Sequence, residues 1–118
     1  MDRSILIVDS DNDLAGTLTA ILTAAGYRVR STVAEEAALY AIFQAPPALV
    51  LIDVAFRDRD GTRFTHILRG LGWTMPVVAV YRAGDDPAVP GLYSVAKPVN
   101  SPELLRTIAT AVAARDGG

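Results

Sequence analysis

Three short runs, Ile5-Leu6-Ile7-Val8, Leu49-Val50-Leu51-Ile52 and Val77-Val78-Ala79-Val80, are unbroken by polar residues and rich in β-branched types. That is the pattern of strands covered on both faces. Tyr27 to Ser31 and Tyr93 to Ala96 read as two shorter strands. Between the first two runs, Leu14, Leu18, Ile21 and Leu22 recur at helical spacing until Gly26, and the acidic cluster Asp9 to Asp13 ahead of them supplies a helix cap. Thr32 with Glu35 three residues on resembles a capping box, opening a second helix to about Gln44 that Pro46 and Pro47 close. Phe64, Ile67, Leu68 and Leu71 share one face of a third helix, after which Trp73 covers the loop before strand 4. Pro87, Pro90 and Gly91 interrupt the stretch from Arg82 to Leu92, so no regular helix is expected there. A last helix is announced by Ser101 as N-cap, Pro102 and Glu103, with Leu104, Leu105, Ile108, Ala111 and Val112 facing inward and Arg115 to Gly118 fraying.

Strand and helix therefore alternate, which predicts an α/β fold with a parallel sheet wrapped on both faces. With five strands the expected architecture is doubly wound and flavodoxin-like, in the order 2-1-3-4-5, and ligands in such sheets sit beyond the carboxyl ends of strands 1 and 3. The 118 residues, 51% apolar and 20% charged, suit one domain spanning residues 1–118. With no cysteine, disulfide scaffolds, thiolate zinc sites and cysteine nucleophiles are excluded. No apolar run approaches the roughly 20 residues that span a bilayer, and no signal peptide is evident, so the expectation is a cytoplasmic protein without membrane contact. A net charge of -2 gives no global field toward nucleic acid, so no direct nucleic-acid binding is expected.

Chemistry gathers at the strand ends. Strand 1 ends in Asp9 and strand 3 in Asp53, and strands adjacent in the sheet would bring these carboxylates together. Such a group of anionic oxygens is what a hard divalent cation such as Mg2+ requires. An aspartate is also a competent nucleophile toward a phosphoryl group when a cation neutralises the incoming oxygens. Lys97, the only lysine in the chain, ends strand 5 and is placed to add positive charge.

With these residues in order, the chain resembles the receiver domains of two-component response regulators. The resemblance runs through Ile5 to Asp13, Leu49 to Asp53 with Asp60-Gly61 after it, Met75 to Val78, and Ala96-Lys97-Pro98. It implies a CheY-like fold, Asp53 as phosphoacceptor, Lys97 as the lysine that contacts the acyl phosphate, and Mg2+ held by Asp9, Asp53 and the backbone carbonyl of Ala55. It further implies a histidine kinase or phosphotransfer protein as donor, and no enzymatic activity beyond phosphorylation from a donor and slow self-dephosphorylation.

The sequence departs from the family at active positions. Ser10 replaces the usual second acid, which predicts weaker Mg2+ binding. Asp11 and Asp13 are read as caps rather than ligands. Tyr81 stands where the family has a serine or threonine switch hydroxyl, and Arg82 follows where a small residue is usual. The aromatic switch position, three residues before the lysine, is Ser94, and the neighbouring Tyr93 should face the opposite side of the sheet. Too few residues separate Tyr81 from Lys97 for the family's fourth helix, which is expected to be shortened or missing. The exposed face of strands 4 and 5 would then be covered by a loop containing Ala88, Val89, Pro90 and Leu92, or by a homodimer through strand 5 and the last helix, helix 5 of the family. Three readings remain open at this point: a phosphorylated receiver acting on a downstream protein partner, a pseudo-receiver that binds partners without phosphorylation, and a sensor of an anion or nucleotide second messenger bound by Arg57, Arg82 and neighbours. Arg57, Arg59 and Arg82 are either plain surface charge or cations that crowd the acceptor pocket. His66, off the apolar stripe, is expected to be solvated.

Overall fold

The apolar runs become strands because each is buried on both sides. In the computed structural model, which describes residues 3–53, 62–82 and 93–117, five strands and four helices follow one another. They are β1 (Ser4–Val8), α1 (Asn12–Ala24), β2 (Arg28–Thr32), α2 (Glu35–Gln44), β3 (Leu49–Asp53), α3 (Thr62–Gly70), β4 (Val77–Arg82), β5 (Tyr93–Lys97) and α4 (Ser101–Gly117). All strand pairs are parallel and the order is β2-β1-β3-β4-β5, as expected from the alternation.

Successive residues of a strand face opposite sides, so each central strand supplies both layers. Ile5, Ile7, Leu49, Leu51, Val78, Val80 and Val95 pack with Leu18 and Leu22 of α1 and with Leu104 and Ile108 of α4. Leu6, Val8, Val50, Ile52, Val77 and Ala79 pack with Ala38 and Ile42 of α2 and with Phe64 and Leu68 of α3. The edge strand β2 is largely exposed, and Arg30 ties it to α2 by donating to the carbonyls of Ala41 and Ala45.

Helix starts show where short-range patterns competed with other partners. Asp11 caps α1, its side chain accepting from the backbone N–H of Asp13 (3.0 Å) and Leu14 (3.2 Å), as its place in the acidic cluster suggests. Losing that cap in Asp11→Ala is expected to cost about 1 kcal/mol in a urea titration, since two orphan donors lose their acceptor. Gly26 ends the helix with φ 95°, a conformation that other residues adopt only with strain.

The expected capping box of α2 does not form. Thr32 is the last residue of β2 and its hydroxyl donates to the Ile7 carbonyl (3.4 Å), while the N-cap is Ala34, with no side-chain bond. Glu35 turns instead toward Arg63 at the start of α3 (3.9 Å). At α4 the capping acceptor is Asn100, whose Oδ1 receives the Glu103 N–H (3.0 Å), and Ser101 is already helical.

Leu71, expected on the buried stripe of α3, is 53% exposed because the helix ends at Gly70 and the stripe ends with it. The last helix runs to Gly117 rather than fraying from Arg115. Arg115 Nη1 donates to the Ala48 carbonyl (3.1 Å), joining the helix to the residue before β3. Trp73 packs against the α2/α3 layer and meets the Phe43 ring edge-on at 6.2 Å, a partner distant in sequence. His66 is exposed.

The expected loss of the family's fourth helix, and the covering loop of Ala88, Val89, Pro90 and Leu92, fall in residues 83–92, outside the described residues. Four helices among the described residues are consistent with a shortened or missing one. No helix among the described residues is long and apolar enough to cross a membrane.

Candidate functional site

The site sits at the carboxyl ends of the strands and is assembled by parity. Asp9 continues the Ile5, Ile7 face of β1, Asp53 continues the Leu49, Leu51 face of β3, and Lys97 continues the Tyr93, Val95 face of β5. All three therefore belong to the α1/α4 side of the sheet. Register completes the arrangement: Val8 pairs with Ile52, setting Asp9 beside Asp53, and Asp53 pairs with Val80 of β4.

Asp9 and Asp53 are the two buried charged residues among those described, at 1% and 6% exposure. Lys97 Nζ forks across Asp53, 3.0 Å from Oδ1 and 3.1 Å from Oδ2. Asp9 has no such cation at bonding distance among the described residues. Its Oδ1 accepts the Asp11 N–H (2.8 Å), whereas Oδ2 is buried without a hydrogen-bond partner. Burial pushes the Asp9 carboxyl up to about 6, and the neighbouring Asp53 charge adds to the rise, while the Asp11 N–H and Lys97 pull the other way.

An orphaned carboxylate oxygen beside a second carboxylate fits a divalent cation. Among the described residues no group of three or more acidic, histidine or cysteine side chains gathers to hold one, and the buried carboxylates described there are Asp9 and Asp53. Mg2+ tolerates that composition because it retains several waters when bound by one or two carboxylates. Ser10 is exposed and adds no charge. Asp11 is committed to the α1 cap. Ala55, expected to lend its carbonyl, lies outside the described residues, as do Arg57, Arg59, Asp60 and Gly61.

Tyr81 does not join the carboxylates. It follows the Val77, Ala79 parity and packs, half-buried, against the α2/α3 layer, on the other side of the sheet from Asp53. Ser94 and Ala96 share that side by alternation, and Ala96 is the register partner of Tyr81. Tyr93 packs against the α1/α4 layer, so its ring is on the face opposite Ser94, as its one-residue offset predicts. Arg82 is exposed at the end of β4, in register with Lys97. What sequence reasoning missed is the Asp11 backbone N–H as the group that orients Asp9. The Asp-x-Asp spacing carried that signal, since aspartate side chains commonly accept a bond from the backbone two residues on.

A family model for the response regulator receiver domain matches residues 5–109, nearly the whole of the sheet and its helices. The chain belongs to that family. Among solved structures, this receiver domain is similar to a candidate response regulator from Chloroflexus aurantiacus, with 27% identity over 96% of this chain and 99% of that one, and a TM-score of 0.84. A CheY-like receiver domain from Methylobacillus flagellatus shares the fold at 23% identity, covering 94% of this chain and 99% of the other, with a TM-score of 0.83. NtrX from Brucella abortus, in a complex with ATP, is 26% identical over 95% of this receiver domain but only 27% of its own length, with a TM-score of 0.82. No curated protein sequence matches. The family gives the domain a signal-transduction role as a receiver module rather than that of a metabolic enzyme.

Proposed function

We propose that Asp53 accepts a phosphoryl group from the phosphohistidine of a histidine kinase or phosphotransfer protein, and that the domain then acts by binding a downstream protein. The observation that carries this reading is the forked contact of Lys97 with buried Asp53, beside the Asp9 Oδ2 that has no hydrogen-bond partner. In the transfer, a carboxylate oxygen of Asp53 forms a bond to phosphorus as the bond from phosphorus to the donor imidazole nitrogen breaks. The imidazole keeps that electron pair and is left neutral once its ring protons are balanced with solvent. Lys97, already at hydrogen-bond distance from both Asp53 oxygens, follows the new phosphoryl oxygens and compensates their charge.

Asp9 and Asp53 would hold Mg2+, which supplies neutralisation of the phosphoryl oxygens. Ser10 leaves that site one carboxylate short, so weak metal binding belongs to the same proposal. The Ala55 carbonyl stays in it as a further donor implied by the family. The whole chain, residues 1–118, is taken as one functional unit with no turnover beyond its own phosphorylation and dephosphorylation. The output surface is assigned to β5 and α4, as contacts with a downstream partner or a second copy.

A second reading, binding without phosphorylation, is favoured by Tyr81. Its packing on the α2/α3 side leaves the acceptor without the neighbouring hydroxyl that the family places there. Intact-mass spectrometry after incubation with Mg2+ and a small acyl phosphate separates the two. A phosphoryl adduct on the natural chain that is absent in Asp53→Asn is the expected result. An adduct on Ser10→Asp but not on the natural chain would replace the first reading by the second.

A further inference from the structure

At the opposite end of the sheet from Asp53, a cavity of about 400 Å3 opens where β4 and β5 begin, between the ends of α3 and α4. Its lining divides by chemistry. Pro76, Ala111 and the half-buried Tyr93 make an apolar floor, and Arg69, Arg115 and Thr74 make an exposed polar rim. We propose that this cavity binds a small organic phosphate, with the phosphate on the two arginines and an apolar or aromatic body against Tyr93 and Pro76.

Two exposed guanidinium groups, from the last turns of α3 and α4, line this one cavity. Neither arginine forms an ion pair with a carboxylate among the described residues. Among the described residues each donates to one backbone carbonyl, Arg69 Nη1 to Trp73 (3.0 Å) and Arg115 Nη1 to Ala48 (3.1 Å). These acceptors lie in the segments after α3 and before β3, not in the last turns of α3 and α4. Both arginines stand in the last turns of their helices, where the dipole favours a cation, and their hydrogen bonds reach beyond those turns. A guanidinium has five N–H donors in a rigid fork, so a single carbonyl fixes its position while leaving donors for a planar or tetrahedral oxyanion. Partial burial lowers the Arg69 pKa from the usual arginine value.

The cavity is open to solvent, and its size suits a small occupant. About 400 Å3 lies at the lower end of small-molecule sites, which are mostly apolar with a few polar groups that fix orientation. A single ring bearing one phosphate matches both the volume and the division of the lining. Arg82, which the sequence singles out for an anion, is not among the described residues that line it. The site is separate from the phosphoacceptor, and the proposal stands whether or not Asp53 is phosphorylated.

The test is a titration of the uniformly 15N-labelled full chain with phenyl phosphate, and separately with inorganic phosphate, in metal-free buffer. Saturable amide shifts at Thr74, Tyr93 and Ala111 are expected with phenyl phosphate, with weaker binding of inorganic phosphate. The R69Q/R115Q chain should bind at least roughly tenfold more weakly, and Asp53→Asn should bind like the natural chain. The R69K/R115K chain keeps the charges but not the forks, and its affinity should fall between the two. It carries the comparison if the glutamine pair does not fold. Absence of saturable shifts at these residues, or unchanged affinity in a folded arginine variant, would overturn the site. Equal affinity for the two phosphates would overturn the organic ligand, and loss of binding in Asp53→Asn would move the site to the acceptor end.

Discussion

Replacing Asp9 with asparagine is expected to stabilise the metal-free protein near neutral pH, although it removes a residue of the phosphoacceptor site. The folded-state pKa of about 6 lies above the ordinary 3.8, so the folded protein holds this proton more tightly than the unfolded chain does. The contribution of Asp9 is therefore most favourable below the unfolded value and falls as pH rises through the interval. Above about 6 the ionised group opposes folding by on the order of 3 kcal/mol. Asparagine has nearly the same shape and keeps an oxygen for the Asp11 N–H, while removing the charge that faces Asp53. Urea titrations should show a gain of about 1 to 3 kcal/mol at about pH 7.5, shrinking toward zero near pH 4. Mg2+ should stabilise the natural chain and not the variant. A loss of stability at neutral pH would mean that the Asp9 charge is already compensated in the folded state.

Lys97→Met should act in the opposite direction and with a larger amplitude. Methionine preserves most of the apolar stem but removes the Lys97 ammonium from the buried Asp53. Removing one partner of a buried pair typically costs about 3 to 5 kcal/mol, because the other is left buried and unpaired. Partial exposure of Lys97 places the expected loss at the lower end of that range at neutral pH. Adding Asp53→Asn to the same chain should restore most of it, so the two substitutions will be strongly non-additive in a double-mutant cycle by urea unfolding. Additive losses would show that Lys97 contributes through packing and not through its charge.

The parts of this fold that were legible in the sequence are those in which one local pattern has one physical solution. Continuous β-branched runs such as Leu49 to Ile52 had to be covered on both faces, and their alternation with helices left few arrangements of a parallel sheet. The strand-end carboxylates were legible for the same reason, since parity and strand order place Asp9 and Asp53 together. Helix starts were less legible because a side chain can choose between a local donor and a distant one. Glu35 had the spacing of a capping box but pairs with Arg63, and Asn100 outcompetes Ser101 for the first turn of α4. The meeting of Phe43 with Trp73 depends on how α2 and the segment after α3 come together, which no local window contains. The same holds for the arginine-rimmed cavity, whose residues come from α3, the connection to β4, β5 and α4.

The bond from Arg115 to the Ala48 carbonyl bears on where this unit can be cut. The family match stops at residue 109, but Ala111 is 1% exposed in the α1/α4 layer and Val112 packs against it. The last two turns of α4 are thus part of the folding unit, and Arg115 fastens them to the start of the central strand β3. A boundary drawn at the end of the family match would remove a buried side chain and this fastening together. A fusion or truncation that preserves the domain therefore has to keep the helix through Arg115.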